Sequence, residues 1–162
     1  MIAVCNTSPI GNLIQIANFS LLPRQFEAVY VPPDVIVELD AGTEVLGEWR
    51  STPGASALQV RALTDPILLR DLAATLHQGE AAAIALTAEL PAAVLVIDEL
   101  DGRRAADRLG LPYTGTVGIL IEAKRRGDIG SVGPLLDDLR NKAGFWLSDA
   151  VVRRALELAG EL

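Results

Sequence analysis

The chain has 162 residues, a single cysteine and a formal net charge of −7. That length suits one domain, residues 1–162, with a core of its own. One cysteine, Cys5, excludes an intrachain disulfide, and the negative charge argues against a tight nucleic-acid binder held by charge alone.

Half of the residues are hydrophobic but only 4% are aromatic, so the core must be built from Ala, Val, Leu and Ile. Such a mixture suits helices packed on a buried sheet. No basic segment followed by an apolar stretch opens the chain, so no signal peptide is expected. The most apolar window, Ala81 to Ile97, is interrupted by Glu89 and Pro91, and no membrane span is expected. The expected location is cytoplasmic and reducing.

In chain order, Ile2–Cys5 is a short apolar run that reads as a buried strand. Ser8-Pro9 reads as a helix cap followed by proline at the first helical position, with Ile10, Leu13, Ile14, Ala17 and Leu21 at helical spacing. Ala28–Val31 is a second strand, closed by Pro32 and Pro33, with a helix from Asp34 to Leu39. Gly42 to Gly54 reads as a loop with a short helix. Leu58, Val60 and Ala62 alternate with polar residues, as on an edge strand. Asp65-Pro66 opens a further helix. Gly79 precedes an Ala-rich helix from Glu80 to Leu90, which Pro91 stops. Val94–Ile97 is the strongest strand, apolar throughout as in a sheet covered on both faces. A helix from Leu100 to Leu109, a short fifth strand at Pro112–Thr114 and three more helices follow. The last of these is capped by Ser148. Strands alternating with helices predict an α/β fold: a parallel central sheet of about five strands sandwiched by helices.

Charge is unevenly spread. Residues 1–100 carry 12 acids and 4 bases, whereas residues 101–162 carry 9 acids and 10 bases. A surface facing a polyanion is therefore expected from the C-terminal part, with Arg103, Arg104, Arg108, Lys124, Arg125 and Arg126 as candidates. Solvated helix faces explain the same residues more plainly.

In an open parallel sheet, ligands bind beyond the carboxyl ends of the strands, where the strand order reverses. Asn6 follows the first strand and Asp98 follows the strongest one, so the two converge if those strands are neighbours. Glu38, on the helix after the second strand, and Glu80, in the first turn of its helix, are placed to join them. Carboxylates without cysteine or histidine partners favour Mg²⁺ or Mn²⁺ over Zn²⁺. The lone His77 reads as a helix-end residue. Each acid also has a plain structural role on offer: Asp98 as a helix cap, Glu80 at a helix dipole, Glu38 on an exposed helix face.

Four runs carry a resemblance: VCNTSPIGNLIQIANFSLL at the start, HQGEAAAIALTAEL, VLVIDELDGRRAADRLGLPYTGTVGILIEAKRRG, and GFWLSDAVVRRALELAGE at the end. In this order and at these separations they resemble the PIN-domain family, in particular a prokaryotic subgroup related to VapC-type toxins and described as predicted nucleic-acid-binding proteins. The resemblance covers nearly the whole chain. It implies a PIN-like α/β fold, a cluster of acids binding Mg²⁺ or Mn²⁺ and cleavage of single-stranded RNA. It also implies a possible antitoxin partner and a possible homodimer. Carried over by position, the metal-binding set is Asn6, Glu38, Glu80 and Asp98, with the three acids as the catalytic groups. Glu99 and Asp101 are alternatives to Asp98 or supports for it. Thr7, Ser8 and Thr116 are placed to hydrogen-bond water or the scissile phosphate, and Arg103, Arg104, Lys124 and Arg125 to hold RNA. The family's first acid is usually Asp; here it is Asn6, whose amide oxygen can still coordinate a hard cation but brings no charge and no base.

Three functions are therefore expected candidates. The first is a metal-dependent ribonuclease. The second is a non-catalytic module binding RNA or a partner protein. The third, a nucleotide-binding module, lacks support because Gly115-Thr116-Val117-Gly118 is neither a dinucleotide fingerprint nor a phosphate loop. Trp49 and Trp146 are both expected in the core or at an interface.

Overall fold

Ile2–Cys5 (β1), Ala28–Val31 (β2), Leu58–Val60 (β3), Val94–Val96 (β4) and Tyr113–Thr114 (β5) form one sheet in the computed structural model, which describes residues 1–162. Every pairing is parallel and the order is β3-β2-β1-β4-β5. Ten helices connect and cover the strands: α1 (Thr7–Gln15), α2 (Leu21–Arg24), α3 (Pro33–Ala41), α4 (Thr43–Leu46), α5 (Ile67–Ala73), α6 (Gln78–Glu89), α7 (Leu100–Arg108), α8 (Thr116–Arg126), α9 (Gly133–Asn141) and α10 (Asp149–Leu158). The expected α/β architecture is thus present, with β3 at an edge.

The apolar runs are continuous because both faces of the sheet are covered, and side chains alternate between the faces. Ala3, Cys5, Val29, Val31 and Val96 point into a larger core shared with Ile10, Leu13, Leu22, Leu120, Leu136 and Leu139. Val4, Leu95 and Ile97 point the other way, into a smaller core with Ala83, Ile84, Leu86 and Ala106. The small alanines of α6 let it lie close on the sheet: residues 79–87 are all buried. No helix is long and apolar enough to cross a membrane.

Two local expectations are corrected. The first helix starts at Thr7 with Asn6 in the cap position, so Pro9 stands at its third residue, not its first. Ser8 does not cap it, because its hydroxyl is turned to the Glu99 carboxylate. The helical spacing from Ile10 to Leu21 does not make one helix. The chain leaves α1 after Gln15, turns at Ala17 (φ 57°) and restarts as α2, so Leu21 and Leu22 reach the core from a separate turn. Of the two tryptophans, expected in the core or at an interface, Trp49 takes the core place at 4% exposed and Trp146 does not, at 82% exposed.

The sheet order fixes where a ligand can sit. From β1 the chain runs to β2 and β3 on one side and to β4 and β5 on the other, so the order reverses between β1 and β4. Cys5 pairs with Val96, and the Asn6 amide donates to the Val96 carbonyl at 3.0 Å. Residues 6, 98 and 99 therefore leave adjacent strands at the crevice where this class of sheet binds ligands.

Candidate functional site

Asn6 is buried at the end of β1, and its side-chain Nδ2 donates to Glu99 Oε2 at 3.2 Å. The Ser8 hydroxyl donates to the other Glu99 oxygen. The carboxylate that meets Asn6 is therefore Glu99, which the sequence offered only as an alternative to Asp98. Asp98 faces the other way, towards α1 and α8. Its Oδ1 accepts the Thr116 backbone N–H at 2.8 Å, and its Oδ2 accepts the Thr116 hydroxyl at 2.6 Å and Asn12 Nδ2 at 3.0 Å. Successive residues at a strand end point to opposite sides, which separates the two acids. Asp98 does not cap α7: the cap position is Glu99, with no side-chain cap bond.

Glu38 and Glu80 come from two helices packed together, α3 and α6. Glu38 is half-buried and accepts the Thr7 hydroxyl at 3.3 Å. It has room only because residue 79 is glycine: a Cβ there would overlap the Glu38 carboxylate. Glu80 is 5% exposed, and no donor or cation of the protein is within bonding distance of its carboxylate. A Cβ on Gly102 would press on Glu80 Oε1 at 3.1 Å and overlap Ile97. One on Gly115 would approach Asp98 Oδ1 at 2.7 Å and overlap Arg103. Three glycines thus clear space for three acids. The sequence marked Gly79 as a helix opener and Gly115 as part of a rejected phosphate loop, but gave no sign of this role, and Gly102 and Asn12 did not stand out at all. The one available signal was an amide, Asn12, between the apolar Ile10 and Leu13 on the buried side of α1.

Asp101 is placed at the rim. Its exposed side chain is 4.0 Å from Arg104 and lines, with His77, Glu80 and Glu99, a groove of about 400 Å³. His77 occupies the cap position of α6 and is exposed.

The electrostatics follow from burial. Desolvation raises the carboxyl pKa values of Glu38, Glu80 and Asp98 above the ordinary range. The neighbouring charge of Glu99 adds to the rise for Glu80 and Asp98, while the Thr116 and Asn12 donors oppose it at Asp98. Burial, then Asp98 and Glu99, likewise push the Cys5 thiol up, so it is no nucleophile.

Of the basic candidates, Arg103 alone lines the groove that contains Asp98 and Glu99. Its Nε donates to the Ile97 carbonyl at 3.1 Å and its guanidinium lies 5.4 Å from the Tyr113 ring centre. Arg104 is exposed beside Asp101, and Arg108 is exposed at the end of α7. Lys124 pairs with Glu161 at 2.9 Å, Arg125 with Glu122, and Arg126 with Asp128 at 3.4 Å. Those three stand at the far end of α8, about 12 Å or more along the helix from Thr116 at 1.5 Å per residue.

The donor set suits a hard divalent cation: oxygens only, held on rigid elements, with Glu80 buried and unpartnered. No three Asp, Glu, His or Cys side chains close on one point in this arrangement. Glu99 is drawn to Asn6 and Ser8, Asp98 to Thr116 and Asn12, and Glu38 to Thr7.

Compared with known families, residues 2–161 match the model described as a PIN domain. No curated protein and no solved structure matches the chain.

Proposed function

The chain belongs to the PIN-domain family, a class of nuclease-type, nucleic-acid-binding folds, and on that premise we propose that it is a divalent-metal-dependent endoribonuclease. The observation that carries this reading is Glu80: a residue only 5% exposed, whose carboxylate has no partner in the protein, on a groove that it shares with Glu99 and Asp101. An uncompensated buried carboxylate is costly, and a bound cation is the simplest compensation.

Glu38, Glu80 and Asp98 would hold Mg²⁺ or Mn²⁺, with the Asn6 amide oxygen as a neutral fourth donor, once Asn6, Glu38 and Asp98 turn from their present hydrogen-bond partners towards the ion. Such an ion, when bound, acts as a Lewis acid towards water and a phosphodiester. The chain's own groups do the rest. A carboxylate accepts the proton of the attacking water. The Ser8, Thr7 and Thr116 hydroxyls orient the carboxylates. Arg103 holds the RNA backbone near the crevice. RNA is the expected substrate, and an antitoxin-type protein or a second copy of the chain are the partners the family suggests.

The test is cleavage of single-stranded RNA with Mn²⁺ or Mg²⁺, with and without chelator, in wild type and Glu80→Gln. We expect metal-dependent cleavage that falls by at least about 100-fold in the variant, the scale on which positioned acid–base groups contribute. Equal cleavage by both proteins would contradict it.

A second reading has its own support. Asn6 donates to Glu99 in place of adding a negative charge, which weakens any metal site and favours a module that binds RNA or an antitoxin-type protein without cutting. RNA binding with no turnover at saturating Mn²⁺ is the result that reading predicts.

A further inference from the structure

We propose that Trp146 is the platform on which an unpaired nucleobase of the bound RNA stacks; the inference rests on the RNA-cleaving reading above. Trp146 lies between α9 and α10 and is 82% exposed, the most exposed large apolar side chain of the protein. Its neighbours explain the direction it takes. Leu147 is buried and Phe145 packs on the larger core, so alternation along the segment sends the indole outward.

The indole is not on a loose tether. The Phe145 N–H donates to the Leu139 carbonyl at 2.9 Å, Arg140 donates to the Leu147 carbonyl, and the Ser148 hydroxyl accepts the Val151 N–H at 3.1 Å. The backbone is pinned on both sides of the ring. Trp49 shows what a structural tryptophan looks like here: buried, its Nε1 donating to Asp40 at 2.9 Å, with Arg50 over its ring. Trp146 has neither bond.

Where it stands gives it a ligand. Trp146 lines the same groove as Asp98, Glu99, Ser8, Asn12 and Arg103. The groove holds about 590 Å³, within the range of sites for one small organic ligand, roughly 300–1,000 Å³. Its lining is mixed in chemistry: Trp146, Val117, Leu147 and Val151 are apolar, while Asp98, Glu99, Ser8, Asn12 and Arg103 are polar or charged. A nucleotide carries the same two kinds of surface, a planar base and a charged backbone. A base on the indole leaves its phosphate near Arg103 and the crevice. A protein helix laid in this groove would press its apolar face on Asp98 and Glu99, which is the worse fit.

The experiment is fluorescence anisotropy of a labelled single-stranded 12-nucleotide RNA in Ca²⁺, with wild type, Trp146→Ala and Trp146→Phe. Iodide quenching of tryptophan emission and sedimentation run alongside. Base–aromatic stacking predicts that Trp146→Ala weakens binding roughly 5- to 150-fold and that Trp146→Phe restores most of it. Bound RNA should shield wild-type emission from iodide, since Trp49 is already buried. Wild-type affinity in Trp146→Ala overturns the stacking role and leaves the nuclease reading standing. Failure of wild type to bind or cut RNA overturns both. A change of oligomeric state in Trp146→Ala with RNA binding intact overturns the proposal and makes Trp146 a protein-contact residue.

Discussion

Asn6 holds an amide where a carboxylate would stand 3.2 Å from Glu99. Replacing it by Asp puts two like charges in contact, which destabilises the protein without a cation and favours it with one. Asn6→Asp should therefore melt lower in chelator, by about 1 kcal/mol, and gain more from Mn²⁺ than wild type; thermal melts with and without Mn²⁺ read both effects. Glu80 gives the opposite case. Its charge is buried without a partner, so Glu80→Gln should stabilise the metal-free protein by on the order of 1 kcal/mol. The sign with pH is fixed: its raised pKa means the folded state holds the proton more tightly. The Glu80 penalty is full above the folded pKa and is relieved as pH falls through it. Denaturant melts against pH, in chelator, should show that slope in wild type and lose its Glu80 share in Glu80→Gln. Asp98 differs again, since three donors hold it. Asp98→Asn turns an amide nitrogen towards Asn12 or Thr116 and should cost about 1–3 kcal/mol of stability, so Glu80→Gln is the cleaner probe.

The helices are positioned by packing, and small residues set how close they come. Gly79→Ala, at the start of α6, is the sharpest test. A Cβ there meets only the end of the Glu38 side chain, which can swing aside, and alanine suits a helix better than glycine by up to about 1 kcal/mol. The variant should fold at least as stably as wild type yet bind Mn²⁺ more weakly, because Glu38 is displaced; calorimetry and a melt separate the two. Much at this level was readable from pattern. Strands β1, β2 and β4 were short apolar runs, proline and glycine marked most helix limits, and Ser148 caps α10 as its sequence suggests. The cap at Ser8 was misplaced because its hydroxyl had a stronger claim from a carboxylate 91 residues away, which no local rule sees. The break at Ala17 was hidden for a related reason: two short helices entering one core keep the apolar spacing of a single longer one.

Topology made the crevice legible, since short polar residues after two apolar runs mark the strand ends of a parallel sheet. Asn6 and Asp98 could be named that way, and Glu38 and Glu80 as acids on the helices beside them. Which of Asp98 and Glu99 faces Asn6 could not, because it depends on how the chain turns out of β4. Nor could the basic surface: Lys124, Arg125 and Arg126 are each paired with an acid, and of the basic candidates Arg103 lines the groove. One of those pairs ties the chain together. Glu161 accepts the Val132 and Gly133 N–H groups at 2.7 and 3.0 Å and pairs with Lys124, which holds its carboxyl pKa at about 2 against an ordinary 4.5. A lowered acid pKa contributes stability above the unfolded value that is lost as pH falls through the folded one. The C-terminal end should therefore loosen between about pH 4.5 and pH 2, and Glu161→Gln should lower stability at neutral pH and flatten that acid limb in urea titrations.

The central claim is that Asn6 at the end of β1 and the carboxylates after β4, with Glu38 and Glu80 beside them, hold a divalent cation. Calorimetric titration of the purified protein with Mn²⁺, alongside Glu80→Gln, tests it most directly. Saturable binding in wild type that is lost in a variant with an equal or higher melting temperature is the predicted result. No binding in wild type, or the same binding in both proteins, would contradict the account.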